Sequence, residues 1–542
     1  MCGLWFILSK INFEYNYILN KLNYFNSISL RGPDKTSLQV FNNYVLGFHR
    51  LSIHDLTPLG DQPFTFIDDK KVYHLLVNGE IYNFKELIKK YNMKLKSNSD
   101  CEVIYHLYKI KNDITETINE LEGEFAGILI INDIINGQIT TFVFRDRIGV
   151  RPLFFGLNEN EIYISSLLSG LCDNVLTNDC VFPPGHIMKI EMINNYFYFN
   201  WIKFYTFKYI INLESDLLVI YKEITSRLIN AVKTRLDSDR PVGALLSGGL
   251  DSSIICGIMS KILGVKNLQT FSIGMINGTD LEYANKVAKH LDTNHTEILF
   301  TVQDGLQVID NVIKCTETWD ITTIRASVGQ FLLGKYINEN TNVKVILNGD
   351  GADEIEMGYL YFNLAPTHQD AQKETEKLIK EIHRYDGLRV DRCISGWGLE
   401  ARVPFLDTNF LDYYMSINPE LKIPTRDRIE KQLLRDAFNT LYPNMIPQQV
   451  LYRKKEAFSD GVSSTEKSWF IIIQEWIETQ VTDFEFESRN DTTIKTKEAY
   501  YYKMKFNEFF CKIYNHEQVI RHYWLPNWVD TNNEPSARVL EF

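Results

Sequence analysis

One stretch constrains the fold of this chain more than any other. Pro241-Val242-Gly243-Ala244-Leu245-Leu246 is a short apolar run that leads directly into Ser247-Gly248-Gly249-Leu250-Asp251-Ser252-Ser253. A helical segment then runs from Ser252 to about Lys261. A buried strand, a glycine loop and a helix in this order form half of a parallel crossover unit. The pattern repeats as strand Leu268–Gly274, helix Asp280–His290, strand Thr296–Phe300, helical stretches between Val302 and Tyr336, and strand Val343–Leu347. Alternation of this kind predicts an α/β domain with a doubly wound parallel sheet. Thr279 and Glu282 have the spacing of a capping box for the second helix. Beyond residue 370 the chain reads as mainly helical.

The first 200 residues have a different texture. Short β-branched and aromatic runs such as Trp5–Leu8, Val45–Phe48, Val72–Val77, Phe125–Ile131, Thr140–Phe144, Glu161–Ser165 and Ile187–Met192 are broken by Gly, Asn and Asp. Phe84–Tyr91 and Glu102–Lys109 read as helices between them. An antiparallel α+β layered domain is expected there. A length of 542 residues suits two to four domains at roughly 100–200 residues each. The expected division is 2–205 and 206–542, the helical end belonging to the second.

Charge and cysteine usage narrow the classes of function. Lys and Arg number 57 against 69 Asp and Glu, a formal charge of -12. That balance argues against a general nucleic-acid binder, which needs a cationic surplus, and leaves room for a local basic cleft. No run approaches the roughly 18 apolar residues of a membrane span, and the N-terminus does not read as a signal peptide. The eight cysteines are scattered without a C-x-x-C pair, which fits a reduced cytoplasmic setting.

Two loops of the second half carry chemistry. The glycines of 247–253 let backbone approach a phosphate, and the helix after them offers free N–H groups and a positive dipole end. Strand Val343–Leu347 ends in Asn348-Gly349-Asp350-Gly351-Ala352-Asp353-Glu354. Ligands of doubly wound sheets bind at the carboxyl ends of strands. Asp251 and Asp353 are therefore expected to flank one crevice, as paired carboxylates suited to Mg2+ and pyrophosphate.

The first half carries a nucleophile. Cys2 becomes the N-terminal residue if Met1 is removed, which sets a thiol beside an α-amine of ordinary pKa about 7.7–8.0. Nucleophile and base then share one residue. Asn78-Gly79-Glu80-Ile81-Tyr82-Asn83 follows a predicted strand, and an amide with a Gly N–H suits an oxyanion hole. Arg50 and Asp100 offer a guanidinium and a carboxylate for the two charged groups of an α-amino acid. Taken singly, Asp100 reads as a surface charge.

These strings together resemble the glutamine-hydrolysing asparagine synthetases, over nearly the whole length. The likeness rests on Met1-Cys2-Gly3, Arg31-Gly32-Pro33-Asp34, residues 78 to 83, Arg145-Asp146 and residues 247 to 253. It extends through Thr322-Thr323-Ile324-Arg325-Ala326-Ser327, Glu400-Ala401-Arg402-Val403-Pro404-Phe405-Leu406-Asp407, Lys455-Glu456-Ala457-Phe458-Ser459-Asp460-Gly461 and Pro535-Ser536-Ala537-Arg538. It implies an N-terminal-nucleophile glutaminase on an αββα sandwich, followed by an ATP-pyrophosphatase-type (PP-loop) synthetase.

By that resemblance Cys2 attacks the glutamine side-chain amide, and Asn78 and the Gly79 N–H hold the oxyanion. Arg50 pairs with the α-carboxylate, Glu80 and Asp100 hold the polar amino-acid end, and Leu51, Ser52, Ile53 and His54 line the pocket. ATP contacts fall on Leu246, Ser247, Gly248, Gly249, Asp251, Ser252, Ile273, Asn348 and Gly349, with Mg2+ on Asp251 and Asp353. Thr322, Thr323 and Arg325 serve aspartate or its adenylate, Asp350 acts on the adenylate or the incoming ammonia, and Lys455 neutralises developing charge. Glutamine, aspartate and ATP are the implied substrates, ammonia travels by an internal passage, and a homodimer is allowed. The rivals are another acyl-adenylate-forming member such as a β-lactam synthetase-like cyclase, an ammonia-only relative, or a non-catalytic sensor.

Two departures stand out. The family pattern S-G-E-G-S-D-E is here Asn348 to Glu354, with a shorter carboxylate at Asp350, which predicts a retained but slower synthesis. The family's apolar residue near the ammonia route is here Glu124, an acid that could trap ammonium there or turn to solvent at a strand start, the second being the expectation.

Overall fold

A computed structural model describes residues 1–542 except 69, 173–174, 176, 178, 208, 213, 277, 455–466, 490, 492–493, 511–525, 527 and 530–542. The first half stacks two antiparallel sheets. One is ordered Lys35–Val40, Tyr44–Arg50, Gly3–Ser9, Glu161–Ser165, Phe154–Leu157. The other is ordered Tyr196–Lys203, His186–Ile193, Gln138–Arg145, Gly123–Asp133, Lys71–Ile81, Phe64–Asp68.

Side-chain alternation explains the layers, because successive residues of a strand face opposite ways. Leu4, Phe6 and Leu8 of the first strand join Leu46, Phe48, Leu76, Ile128, Val143 and Ile190 between the sheets. Trp5 and Ile7 point the other way, onto Phe25 of helix Tyr15–Ser27. On the far sheet Leu75, Val77, Leu129 and Phe144 pack beneath helices Phe84–Tyr91, Val103–Lys111 and Ile114–Asn119. Helix, sheet, sheet, helix is the expected αββα order.

The second half holds the parallel sheet, ordered Asn294–Leu299, Gln269–Gly274, Val242–Leu245, Val345–Leu347, Glu400–Arg402, with every neighbouring pair parallel. The chain leaves Val242–Leu245 toward one edge and returns to its other side at Val345–Leu347. That reversal opens the crevice where such sheets bind ligands. Two expectations are corrected. The proposed capping box does not form, because Gly278 is the N-cap without side-chain support and Glu282 pairs with Lys286. The polar triplet Glu400–Arg402 is an edge strand, although nothing in its pattern suggests one.

The two halves meet through buried ions. Arg31 donates to Asp391 at 2.7 Å. Arg235 donates to Glu124 and to Asp407, both at 2.9 Å. Arg151 lies 2.9 Å from Glu124 and donates to the Ala401 carbonyl at 3.0 Å. Arg402 lies 3.0 Å from Glu80 and 2.8 Å from Glu400. Glu124 is thus buried between two arginines, and its expected turn to solvent is overturned. At the start of strand Gly123–Asp133 it faces the second half, where Arg235 receives it. Removing one partner of a buried pair strands the other charge, at a cost of about 3–5 kcal/mol. Glu124→Met is therefore expected to lower unfolding free energy by about that amount, read from urea denaturation, with Glu124→Gln losing less.

Candidate active site

Strands Gly3–Ser9, Tyr44–Arg50 and Lys71–Ile81 bring three sequence segments to one end of the sandwich. The Cys2 backbone N–H donates to Asn78 Oδ1 at 2.7 Å. That bond orients the Asn78 amide and leaves its Nδ2 buried without a partner. A buried donor in that state is costly unless a ligand uses it. Gly79 follows with φ +147°, and a Cβ there would lie 2.1 Å from the Glu124 carbonyl oxygen. Only glycine fits. The partly buried Cys2 thiol faces the Leu51 carbonyl at 3.7 Å. Burial raises its pKa, against the nearby terminal ammonium and the Leu51 contact.

A cavity of about 30 Å³ adjoins the thiol, lined by Met1, Cys2, Arg50, Leu51, Ile53, His54, Gly79, Glu80, Asp100 and Glu400. Met1 is itself buried, its ammonium 3.4 Å from Glu400. Asp100 is buried rather than a surface charge and accepts from the Ile81 N–H at 2.7 Å. Burial and repulsion from Glu80 push its carboxyl up to about 7, against the pull of His54. Burial works against a charged His54, but Glu80 at 3.1 Å outweighs it and raises the imidazole to about 10. Arg50 borders the same cavity, yet its guanidinium donates to Asp61 at 2.6 Å, to the Thr57 and His54 carbonyls at 3.0 and 3.2 Å, and to the Asp55 carbonyl. Ser52, expected in the pocket, stands behind its lining instead, its N–H on Asp34 at 2.8 Å and its carbonyl taken by Arg240 at 3.0 Å.

The second site lies at the reversal of the parallel sheet. Leu246, Ser247, Gly248 and Gly249 leave Val242–Leu245, and Leu250–Gly257 begins the helix. Gly248 has φ +77°, and a Cβ on it would lie 2.4 Å from the Ala284 nitrogen. Ser247 and Ser252 hydroxyls meet at 3.0 Å. Asn348 and Gly349 extend from Val345–Leu347, and a Cβ on Gly349 would lie 2.9 Å from the Ser252 nitrogen. The two loops therefore touch, as the sequence predicted. Ile273 is buried on the neighbouring strand.

Asp251 and Asp353 share one residue that sequence reasoning missed. Lys431 Nζ stands 2.6 Å from Asp251 Oδ2 and 2.6 Å from Asp353 Oδ1. Burial opposes its charge, but the two aspartates hold the ammonium firmly protonated, above its ordinary value. Gly358 makes room, since a Cβ there would lie 2.2 Å from Asp353 Oδ1 and 2.3 Å from Lys431 Cε. Lys431 precedes helix Gln432–Leu441 with φ 59°; a lone lysine before a helix carries no sequence signal of this role. Arg453 also reaches the loop, donating to the Gly248 carbonyl at 3.2 Å and to Asp280 at 2.8 Å.

Thr322 and Thr323 begin helix Ile321–Asn340, their hydroxyl and N–H on Asp320 at 2.7 and 2.8 Å. Arg325, one turn on, is buried with its fork on Glu498 at 2.9 and 2.6 Å. Asp350 accepts from Asn348, Gln330 and Arg389. Lys455, with residues 456–461 and 535–538, lies outside the described residues.

Comparison with known proteins agrees with this two-domain layout. A family model described as a glutamine amidotransferase domain matches residues 1–222. A second, described as asparagine synthase, matches residues 223–374 and 363–528. The chain is 39% identical over 574 residues to the Gallus gallus asparagine synthetase (glutamine-hydrolysing), covering 100% of this chain and 99% of that one. It is 38% identical over 582 residues to the Homo sapiens protein of the same name, covering 100% and 98%. With that identity sustained across both halves, the chain belongs to the family of glutamine-hydrolysing asparagine synthetases.

Proposed function

We propose that this protein converts L-aspartate to L-asparagine with ATP and the amide nitrogen of L-glutamine. The observation that carries the reading is the pairing, in one chain, of an unpartnered amide donor beside a thiol with two aspartates facing each other across a phosphate-type loop. The division of labour follows 2–205 as glutaminase and 206–542 as synthetase, in a cytoplasmic enzyme.

In the first site Cys2 Sγ attacks the glutamine side-chain carbonyl carbon, passing its proton to the α-amine that Cys2 carries once Met1 is removed. Asn78 Nδ2 and the Gly79 N–H take the oxyanion, whose charge develops only as the carbonyl opens. Collapse expels ammonia with that proton, and water then releases glutamate from the thioester. Glu80 and Asp100 face the substrate ammonium. Arg50, anchored by Asp61, supplies the positive charge of the opposite wall, backed by Leu51, Ser52, Ile53 and His54.

In the second site the loop from Leu246 to Ser252 cradles the phosphates, while Ile273, Asn348 and Gly349 border the nucleotide. The aspartate side-chain carboxylate attacks the α-phosphorus, releasing pyrophosphate and forming β-aspartyl-AMP. Ammonia then attacks the acyl carbon and AMP leaves. Thr322 and Thr323 position the amino acid, and Arg325 fixes that helix through Glu498. Asp350 faces the adenylate, and Lys455 is assigned to charge neutralisation. Asp251 Oδ1 is buried without a hydrogen-bond donor, which fits a bound cation. Asp251 and Asp353 would hold Mg2+, which supplies charge neutralisation of the leaving pyrophosphate. No cage of three acidic, His or Cys groups occurs among the described residues, so phosphate oxygens and water would complete the shell. Ammonia must cross between the sites unprotonated, since ammonium has no lone pair to attack with.

Asparagine formation is measured from aspartate and ATP with glutamine or with an ammonium salt. Cys2→Ala is expected to lose the glutamine arm and keep the ammonia arm; equal loss of both would overturn the two-site scheme. A chain with Met1 retained, verified by mass, is expected to behave like Cys2→Ala, because Cys2 then lacks the free α-amine that takes the thiol proton, and Met1 lines the pocket. Lys431→Met is expected to slow pyrophosphate release about 100-fold, the scale of one lost electrostatic donor, while glutamine hydrolysis continues. Asp100 must be ionised to hold the substrate ammonium, so KM for glutamine is expected to rise as pH falls through about 7.

A further inference from the structure

Asp350 is held by an unusually complete set of donors for a residue that faces a crevice. Its Oδ2 accepts from Asn348 Nδ2 at 2.7 Å and from Gln330 Nε2 at 2.8 Å. Its Oδ1 accepts from Arg389 Nη2 at 2.8 Å. The return bond runs from the Asp350 N–H to Asn348 Oδ1 at 2.8 Å. Asn348 and Asp350 therefore close a reciprocal ring across Gly349, and Gly349 is the residue packed on Asp251 and Ser252. Asn348, Gln330 and Arg389 are 2%, 4% and 6% exposed, whereas the Asp350 side chain is 20% exposed. The donors are fixed in the core and the carboxylate alone is open to the crevice.

The ring is specific in length. Closing it needs one side chain at 348 that donates and accepts at once, at the reach of an amide. A serine hydroxyl can also donate and accept, but from a single atom closer to the backbone, so it would meet the Asp350 carboxylate at a different place than the Asn348 amide does. A glutamate at 350 carries its carboxylate one methylene past the Asn348 amide and toward Arg389, which is already shared with Asp386 at 2.7 Å. We propose that Asn348, backed by Gln330 and Arg389, is a positioning residue that sets the Asp350 carboxylate at the adenylate, so that Asn348 and Asp350 work as a matched pair. This rests on the synthetase reading above and reverses the expectation that glutamate at 350 would speed the reaction. A carboxylate displaced by about 1 Å costs on the order of 100-fold in rate.

The test compares the full-length wild type with Asn348→Ser, Asp350→Glu and the double variant Asn348→Ser/Asp350→Glu. Asparagine formation is followed with ammonium as nitrogen source, resolving kcat from KM for aspartate and for ATP, and thermal unfolding is recorded alongside. Each single variant is expected to lose about 100-fold in kcat with little change in KM for aspartate. The double variant is expected to recover at least tenfold over each single one, a departure from additivity that independent sites do not show. Additive losses, or an Asp350→Glu variant as fast as wild type, would overturn the matched pair. Loss that tracks unfolding temperature and is not rescued in the double variant would overturn it too, by assigning Asn348 to stability alone. A wild type that makes no asparagine from aspartate, ATP and ammonium defeats the proposed function itself, an outcome visible before any variant is compared.

Discussion

The structure depends on arginines buried where the sandwich meets the parallel sheet. Arg31, Arg151, Arg235 and Arg402 are each at most 2% exposed. Each finds a carboxylate or a carbonyl across the boundary. Burying such charges is expensive unless partner and geometry are right. An apolar interface tolerates sliding; one made of forked guanidiniums on carboxylates has few acceptable registers. The two halves therefore meet in one register, set by which guanidinium faces which carboxylate.

The edge strand Glu400–Arg402 shows how closely the sites are joined. Its Glu400 side chain faces the Met1 ammonium, and its Arg402 side chain faces Glu80 in the cavity beside Cys2. The Arg402 carbonyl accepts from the Asn348 N–H at 3.1 Å, at the start of the loop that carries Asp350 and Asp353. One three-residue strand thus borders both sites. Its charged side chains are tolerated in the core because each meets an opposite charge there. A shift of this strand would move Glu80 beside Cys2 and the loop that carries Asp350 together.

Much of the fold and of both sites was legible in the sequence, and the residues show why. Alternation in Trp5–Leu8 or Phe125–Ile131 and the glycine loop after Leu246 are local patterns with local physical causes. Cys2, Asn78, Asp251 and Asp353 announced themselves by chemical type beside strand ends. Lys431 did not, because its meaning lies in two aspartates distant in sequence. Glu124 was misjudged because its partners, Arg151 and Arg235, sit 27 and 111 residues away. Asp100 and Glu400–Arg402 were obscured by the same rule that polar residues belong outside, which fails wherever charges pair in the core.

By itself the sequence determined the two kinds of sheet, the order of the halves and the family, and it picked out the candidate nucleophile and the candidate phosphate loop. These follow from residue periodicity and from short contiguous motifs. Only the tertiary structure decided which charge faces which: that Glu124 is paired rather than exposed, that Lys431 joins Asp251 to Asp353, and that Asn348 holds Asp350. Those are contacts between residues far apart in the chain or folded back across a turn. Their energies depend on distance and burial, neither of which a linear string specifies.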